Sequence, residues 1–346
     1  MKKYIPLASV VIFVAVILFM GNILWTKKQE VVQAVPALPT LVVYTDIPVD
    51  AANAMANAFS AQQHVTVQMN VLAEDQILQG LKNQEKGKGP DLILASEEVL
   101  QEAAKQHYLK PYISEETDLV MDPFKDPAGD WVGVWYDPIV FVVSDEYFKK
   151  HNAEVRSWNN LITLGMPRVA MTDLVATKSS ANLLYTLVEV YGEDESLQFL
   201  QKLQRRVVQY TKYLITPVRM TTLDEADVAI ANGNDAWRYV KEKFPVKVVY
   251  PEEGTAYYLT GAGVVSKSDK QETAASFVKW LLSKKAQEAM ERQQFYYVFF
   301  DEKREKLPDS LQHELVLYPV AKKYTDQGKD LVMSHWIEKV RFGKDR

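Results

Sequence analysis

Beyond an apolar N-terminal run, short β-branched segments alternate with stretches whose apolar residues recur at helical spacing. Leu41-Val42-Val43-Tyr44 predicts a fully buried strand and Tyr44-Thr45-Asp46 a turn. Pro48 and Asp50 then open a helix with apolar positions Ala51, Met55, Ala58 and Phe59. Val65–Met69 predicts a second strand, a helix through Ile77, Leu78 and Leu81 follows, and Asp91–Ala95 predicts a third strand. Ser96 is placed to cap a helix carrying Val99, Leu100 and Ala103. Such alternation is the pattern of a parallel sheet with helices on both faces. It breaks across residues 111–131, rich in Pro, Asp and Glu, and Ile139–Val143 predicts a long strand with no helix directly after it. It restarts at Arg168–Met171, with the loop Thr172–Thr177 and a helix through Leu183, Leu184, Leu187 and Tyr191 that Gly192 stops. Strands at Asp227–Ile230, Val246–Tyr250 and Ala262–Ser266 follow, the last leading to a helix through Phe277, Val278, Leu281 and Leu282. The break near residue 140 and the return near residue 261 read as paired crossings between two α/β lobes. One large α/β domain is the alternative.

Between Tyr4 and Trp25 the residues are almost all apolar, a run matching the about 20 residues that a helix needs to span a bilayer. Lys2 and Lys3 precede it as a positive flank, although Lys27 and Lys28 put similar charge on its far side. An uncleaved signal-anchor is expected. A signal cleaved near Ala34 or Ala37 and a buried soluble helix are the alternatives, and the distance of those alanines from the run weighs against cleavage. Gln29–Pro39 reads as a tether, because Pro36 and Pro39 forbid a continued helix. The chain has no cysteine, which excludes disulfides and a lipidated cysteine anchor. The four lysines and one glutamate of residues 1–30 leave 36 basic and 44 acidic side chains beyond them, a net charge of −8. Nucleic acid, whose phosphates demand a basic footprint, is not an expected partner. The expected division is a transmembrane segment over 1–28, a linker over 29–39, a first lobe from 40–138 plus 262–312, a second lobe over 139–261, and C-terminal helices over 313–346 packed back on a lobe.

Six segments, by their order and spacing, resemble the type II periplasmic solute-binding proteins of ABC transporters. They are Leu41-Val42-Val43-Tyr44-Thr45, Gly89-Pro90-Asp91-Leu92-Ile93-Leu94, Gly129-Asp130-Trp131-Val132-Gly133, Ser157-Trp158-Asn159-Asn160-Leu161, Val249-Tyr250-Pro251-Glu252-Glu253-Gly254-Thr255, and Phe277-Val278-Lys279-Trp280-Leu281-Leu282-Ser283 with Ala286-Gln287-Glu288. The resemblance is to the branch that includes ferric-iron and phosphorylated-solute receptors. It implies an α/β fold of two lobes joined by two crossing strands, which closes on a small molecule or ion by hinge motion. It also implies a place at the extracytoplasmic face of the cell membrane and delivery of solute to an ABC permease and its ATPase. A soluble monomer from Thr40 onward is expected, with no cofactor.

Ligands of parallel sheets sit beyond the carboxyl ends of the strands. That rule singles out Tyr44, Thr45 and Asp46 after the first strand and Ser96 after the third, although a plain turn and a helix cap would explain them too. Thr177-Lys178-Ser179-Ser180, ahead of the helix through Leu183, offers amides, hydroxyls and a lysine to an anion. In the loop Asn232–Arg238 the candidates are Asn234, Trp237 as an apolar wall, and Arg238 to grip a carboxylate or phosphate. A solvated helix face is the alternative for Arg238. Trp135, Tyr136 and Asp137 lie near the first crossing, and Tyr257 and Tyr258 near the return. The resemblance associates ferric iron with adjacent tyrosinates, a histidine and an acid. Where those relatives carry the pair this chain has Asn232-Gly233-Asn234, Tyr239 stands alone, and the first turn lacks histidine. Tyr257-Tyr258 and Tyr296-Tyr297 lie elsewhere, and strand alternation turns neighbours to opposite faces. An organic or phosphorylated anion is therefore expected ahead of ferric iron, with a cationic or neutral solute also open.

The five histidines (His64, His107, His151, His313 and His335) are isolated, without metal-ligand spacing. Nucleophile-elbow, Walker-loop and dinucleotide fingerprints are absent, so an enzyme is not expected. The second reading is a membrane-anchored sensor or envelope-complex scaffold built on the same fold.

Overall fold

The computed structural model describes residues 20, 38–151, 155–176, 178–290, 296–297, 315–318 and 326–343. Residues 1–39 and Thr40–Arg346 are separate units. The apolar run expected to span a membrane lies outside the described residues apart from Met20. Among the described residues no helix is long and apolar enough to cross a bilayer.

The alternation at the start of the second unit yields β1 (Thr40–Thr45), α1 (Val49–Gln63), β2 (Thr66–Val71), α2 (Glu74–Lys82), β3 (Leu92–Ser96) and α3 (Glu97–Lys105). The apolar stripe of α1 buries Ala51, Met55 and Phe59, and His64 ends the helix in the left-handed region at φ 51°. Residues 111–131 hold only a short helix at Glu115–Asp118 and one 3-10 turn. The strand expected over Ile139–Val143 is the second half of β4 (Val132–Ser144), 13 residues long. A helix follows it directly at Asp145–His151, contrary to expectation, with acids in its first turn and Lys149, Lys150 and His151 in its last. That charge order complements the helix dipole and was the signal available.

The second half brings β5 (Val169–Thr172), α4 (Lys178–Tyr191), α5 (Glu193–Gln204), β6 (Val207–Thr211), β7 (Val228–Asn232), α6 (Gly233–Lys241), β8 (Val246–Val249), β9 (Tyr257–Val265), α7 (Gln271–Leu281), α8 (Lys284–Ala289) and α9 (Asp326–Trp336). Gly192, at φ +84°, ends α4 as expected and precedes α5, a helix the sequence reading did not include. Leu197, Leu200 and Leu203 supply the buried stripe of α5. The stretch Asn232–Arg238, read as a loop, is instead mostly the first two turns of α6.

The sheet runs β2-β1-β3-β9-β4-β7-β5-β6. β1 is parallel to β2 and β3, and β5 is parallel to β6 and β7, while β9 and β4 are antiparallel partners in the middle. Two large apolar cores lie on either side of that middle. Phe59, Phe277 and Trp280 sit in the first, with the Phe59 and Phe277 ring centroids 4.8 Å apart. Phe141 and Trp158 meet edge to face at 4.9 Å in the second. β4 supplies Val134 and Tyr136 to the first core and Ile139, Phe141 and Val143 to the second, so it passes from one to the other.

A further connection joins the two. Leu315 and Leu317 pack on the first core and Tyr318 belongs to the second. Thr255 holds this segment by donating its amide to Val316 O and accepting the Tyr318 amide. Gly254 beside it has φ +113°, and a Cβ there would come within 2.5 Å of the Tyr318 ring, so only glycine fits. The chain then enters α9, whose Val332 and Trp336 are buried in the second core.

Candidate functional site

The carboxyl ends of β1, β3, β5 and β7 lead to Asp46, Ser96, Thr172 and Asn232, where parallel strands offer helix N-termini to a ligand. The crossing strands add Asp137 from β4 and Tyr258 from β9. A pocket opens on the second-core side of them, with Thr172, Ser180, Asn232 and Tyr258 as its polar wall and Ile139, Met171, Leu183 and Ile230 among its apolar residues.

On the first-core side, Tyr44 turns away, its ring lying over Gly80 of α2. Thr45 is fully buried and its hydroxyl accepts the Ile47 amide, an internal turn bond. Asp46 is the residue of this turn that belongs with the site, since its carboxylate accepts the Ser96 amide at 3.0 Å. Ser96 stands at the start of α3, but its hydroxyl makes no capping bond. Asp46 Oδ2 is what holds the amide there. Burial pushes the Asp46 carboxyl up, against the pull of that bond.

α3 opens with Glu97 and Glu98. Burial pushes Glu98 up to about 7, with Glu97 and Asp46 adding repulsion and Lys329 opposing it. Asp137 is likewise raised by burial to about 7. Its carboxylate accepts the Asn234 amide at 2.8 Å and so caps α6. The Tyr258 phenol feels both Asp137 and Glu98 and is raised chiefly by burial. One group of acids and phenols therefore extends from α3 through the crossing strands.

The remaining predicted residues divide. Ser180 lines the pocket, and its hydroxyl donates to Asp173 O at 2.9 Å. Thr177 lies outside the described residues, and of Lys178 and Ser179 only the backbone is described. Asn234 contributes its amide to Asp137. Trp135, Tyr136 and Tyr257 are buried in the first core, with Tyr136 stacked on Phe124 at 5.5 Å. Tyr257 still touches the boundary, because its carbonyl accepts Asn182 Nδ2 of α4 at 3.0 Å. Trp237 is buried elsewhere, its indole donating to the Tyr250 hydroxyl. Arg238 is exposed and pairs with Asp235 at 2.9 Å, the solvated-face outcome. Burial raises the Asp235 carboxyl, with Arg238 pulling it back.

Sequence reading missed Thr172, Asn232 and Glu98. Thr172 and Asn232 carried a signal, as the last residues of short buried strands. Glu98 carried none, since two acids in a first turn are ordinary dipole complements. Strand alternation separates the tyrosine pair: Tyr258 faces the pocket while Tyr257 faces the first core. Tyr239 packs on Phe244 at 4.9 Å. Among the described residues no cluster of three or more His, Cys, Asp or Glu side chains is placed to hold a metal ion.

Comparison with known proteins gives this architecture a context. An uncharacterized protein of Haemophilus influenzae is 28% identical over 257 residues, 70% of this chain and 73% of that one. The major ferric iron-binding protein of Neisseria meningitidis serogroup A is 24% identical over 275 residues, 74% of this chain and 80% of that one. Among solved structures, the periplasmic binding protein AfuA of Actinobacillus pleuropneumoniae, with fructose-6-phosphate bound, superposes with a TM-score of 0.72 at 22% identity, covering 88% of this chain and 99% of that one. Iron-bound HitA of Pseudomonas aeruginosa gives 0.68 at 18%, covering 86% and 97%. These likenesses show the two-lobed periplasmic-binding fold. Residues 41–296 match the family described as bacterial extracellular solute-binding protein, and the chain belongs to that family.

Proposed function

We propose that this protein is the extracytoplasmic receptor of an ABC importer, and that its cleft takes a small organic solute with an anionic end. The proposed lobes are 40–138 with 262–312, and 139–261, with α9 packed against the second. Four helix N-termini follow the strand ends at the site, and α1 carries Asp50 in its first turn. α3 begins with Glu97 and Glu98, and α6 carries Asp235 in its first turn and Asp137 on its Asn234 amide. α4 has no acid in its first turn. That contrast carries the reading. An anion gains from free amides and the positive dipole end only where no carboxylate already occupies them.

Thr172, Ser180 and Asn232 would surround such an anion at the start of α4, with Lys178 as the proposed countercharge. The acid-rich side formed by Asp46 and Glu98 suits hydroxyl or amine hydrogens, since carboxylates accept them. A phosphorylated polyol meets both demands, and the fructose-6-phosphate held by AfuA has that chemistry. The separation of Tyr257 from Tyr258 weighs against an adjacent tyrosinate pair for ferric iron, the ion named for the Neisseria relative. Anchoring by the N-terminal apolar run remains part of the proposal.

A thermal-shift panel of sugar phosphates, inorganic phosphate, polyamines and ferric citrate tests this reading on the full chain. Stabilisation by a sugar phosphate is expected, about 2.7 kcal/mol at 100 times the dissociation constant. Stabilisation by ferric citrate alone, with a visible tyrosinate charge-transfer band, would overturn the ligand class.

A further inference from the structure

The family match ends at residue 296, and α9 lies beyond it. A π-helical turn, Ile337–Arg341, continues α9 along the second core, where Val340 is buried and Lys339 O accepts Gln201 Nε2 of α5 at 3.1 Å. The turn ends on Arg341, whose guanidinium lies 4.3 Å over the Tyr210 ring of β6. Arg341 Nε donates to Asp173 Oδ2 at 3.1 Å. Asp173 follows β5 directly, one residue past Thr172 of the pocket wall. Its other carboxylate oxygen accepts the Val175 amide at 3.3 Å. Its carbonyl accepts the Ala176 amide and the Ser180 hydroxyl, each at 2.9 Å, and its own amide donates to Thr211 O. The residue is thereby held against the first turn of α4, with its side chain only 18% exposed.

We propose that Arg341 is a positioning residue for the anionic end of the solute: by pairing with Asp173 it neutralises that carboxylate and holds it off the start of α4. The amides of the first turn are then left to the solute. α4 has no acid in its own first turn, yet Asp173 brings one as close as the residue whose carbonyl takes the Ser180 hydroxyl. A carboxylate released there would be drawn to the positive helix end and would repel an anion arriving at the same place. The guanidinium suits the task because it can stack on Tyr210 and donate to Asp173 at once. Its charge is needed only while Asp173 carries one. The proposal rests on the anion reading of the α4 site and adds to it a residue outside the family-matched span that sets the charge preference there.

Isothermal titration calorimetry on the full chain, with fructose 6-phosphate and with inorganic phosphate as probes, would compare the parent with Arg341→Met, Asp173→Asn and the double variant. Arg341→Met should raise the dissociation constant by about tenfold or more, because it strands the Asp173 charge beside the anion. Asp173→Asn, which keeps an acceptor for the Val175 amide, should bind at least as tightly as the parent. The double variant should return to within about threefold of the parent, since the two positions act through one pair. Packing lost around Arg341 is the same in the single and double variants, so equal weakening in both would overturn the proposal. Unchanged affinity in Arg341→Met would overturn it too. Arg341→Lys, which keeps the charge, should stay within about threefold of the parent, and weakening there equal to that of Arg341→Met would count against the proposal. A parent that binds neither probe would remove the anion reading and this inference together. A parent that binds, with Arg341→Met unchanged, would remove the inference alone.

Discussion

Single residues set the terms of this fold most clearly at Asp91. Its buried carboxylate accepts the Val42 amide at 2.8 Å and the Ser268 hydroxyl at 2.6 Å, and pairs with Lys270 at 3.3 Å. Lys270 also donates to Thr40 O, so one acid ties β1, β3 and the start of α7 together. Asp91→Ala should cost about 3 kcal/mol, because buried donors lose a charged acceptor, and a denaturant titration would read it. Glu98 works in the opposite sense. Its folded pKa, about 7, lies above the unfolded carboxyl range, so the folded state holds the proton more tightly. The resulting penalty is absent at acid pH, grows as pH rises toward 7, and is complete above it. Glu98→Gln should therefore raise the thermal midpoint at pH 8 by on the order of 1 kcal/mol of stability and change it little at pH 4. A larger gain at acid pH would reverse the assignment.

At the scale of elements, α9 shows what sequence reading could and could not supply. The sequence predicts C-terminal helices over 313–346 packed on a lobe, but not which lobe. The Thr255 bonds to residues 316 and 318 decide it, by leading the chain over to the second core. Trp336 is fully buried there, its ring 6.0 Å from Tyr210. Trp336→Ala should cost about 3–5 kcal/mol, as large buried aromatics do, with loss of protection over α9 in hydrogen exchange. The strands and helices of the first half were legible because β-branched runs and helical stripes alternate cleanly there. The site was legible only in part. Asp46 lies just past a strand end and Ser180 in the first turn of α4, but Trp135, Tyr136 and Tyr257 are core residues. β4 is buried on both faces, so alternation along it says nothing about which aromatic faces a cleft. Arg238 illustrates a different limit: a charge near a strand end is drawn to the nearest acid on its own helix, here Asp235.

For the whole molecule, the β4 and β9 crossings and the segment 315–318 between two cores are what make hinge motion the physical expectation. Each side has its own core, and Glu98, Asp137 and Tyr258 put acids and a phenol at the start of α3 and on the crossing strands. Such an arrangement costs little to open and gains most from a solute that bonds to both sides. The equilibrium moves only as far as the solute's preference for the closed state allows. The most direct measurement is small-angle X-ray scattering of the full chain, with and without the sugar phosphate that most raises the thermal midpoint. The account predicts a smaller radius of gyration on saturation, with one solute bound per chain. Saturation with the radius unchanged would contradict closure of two lobes on a shared ligand.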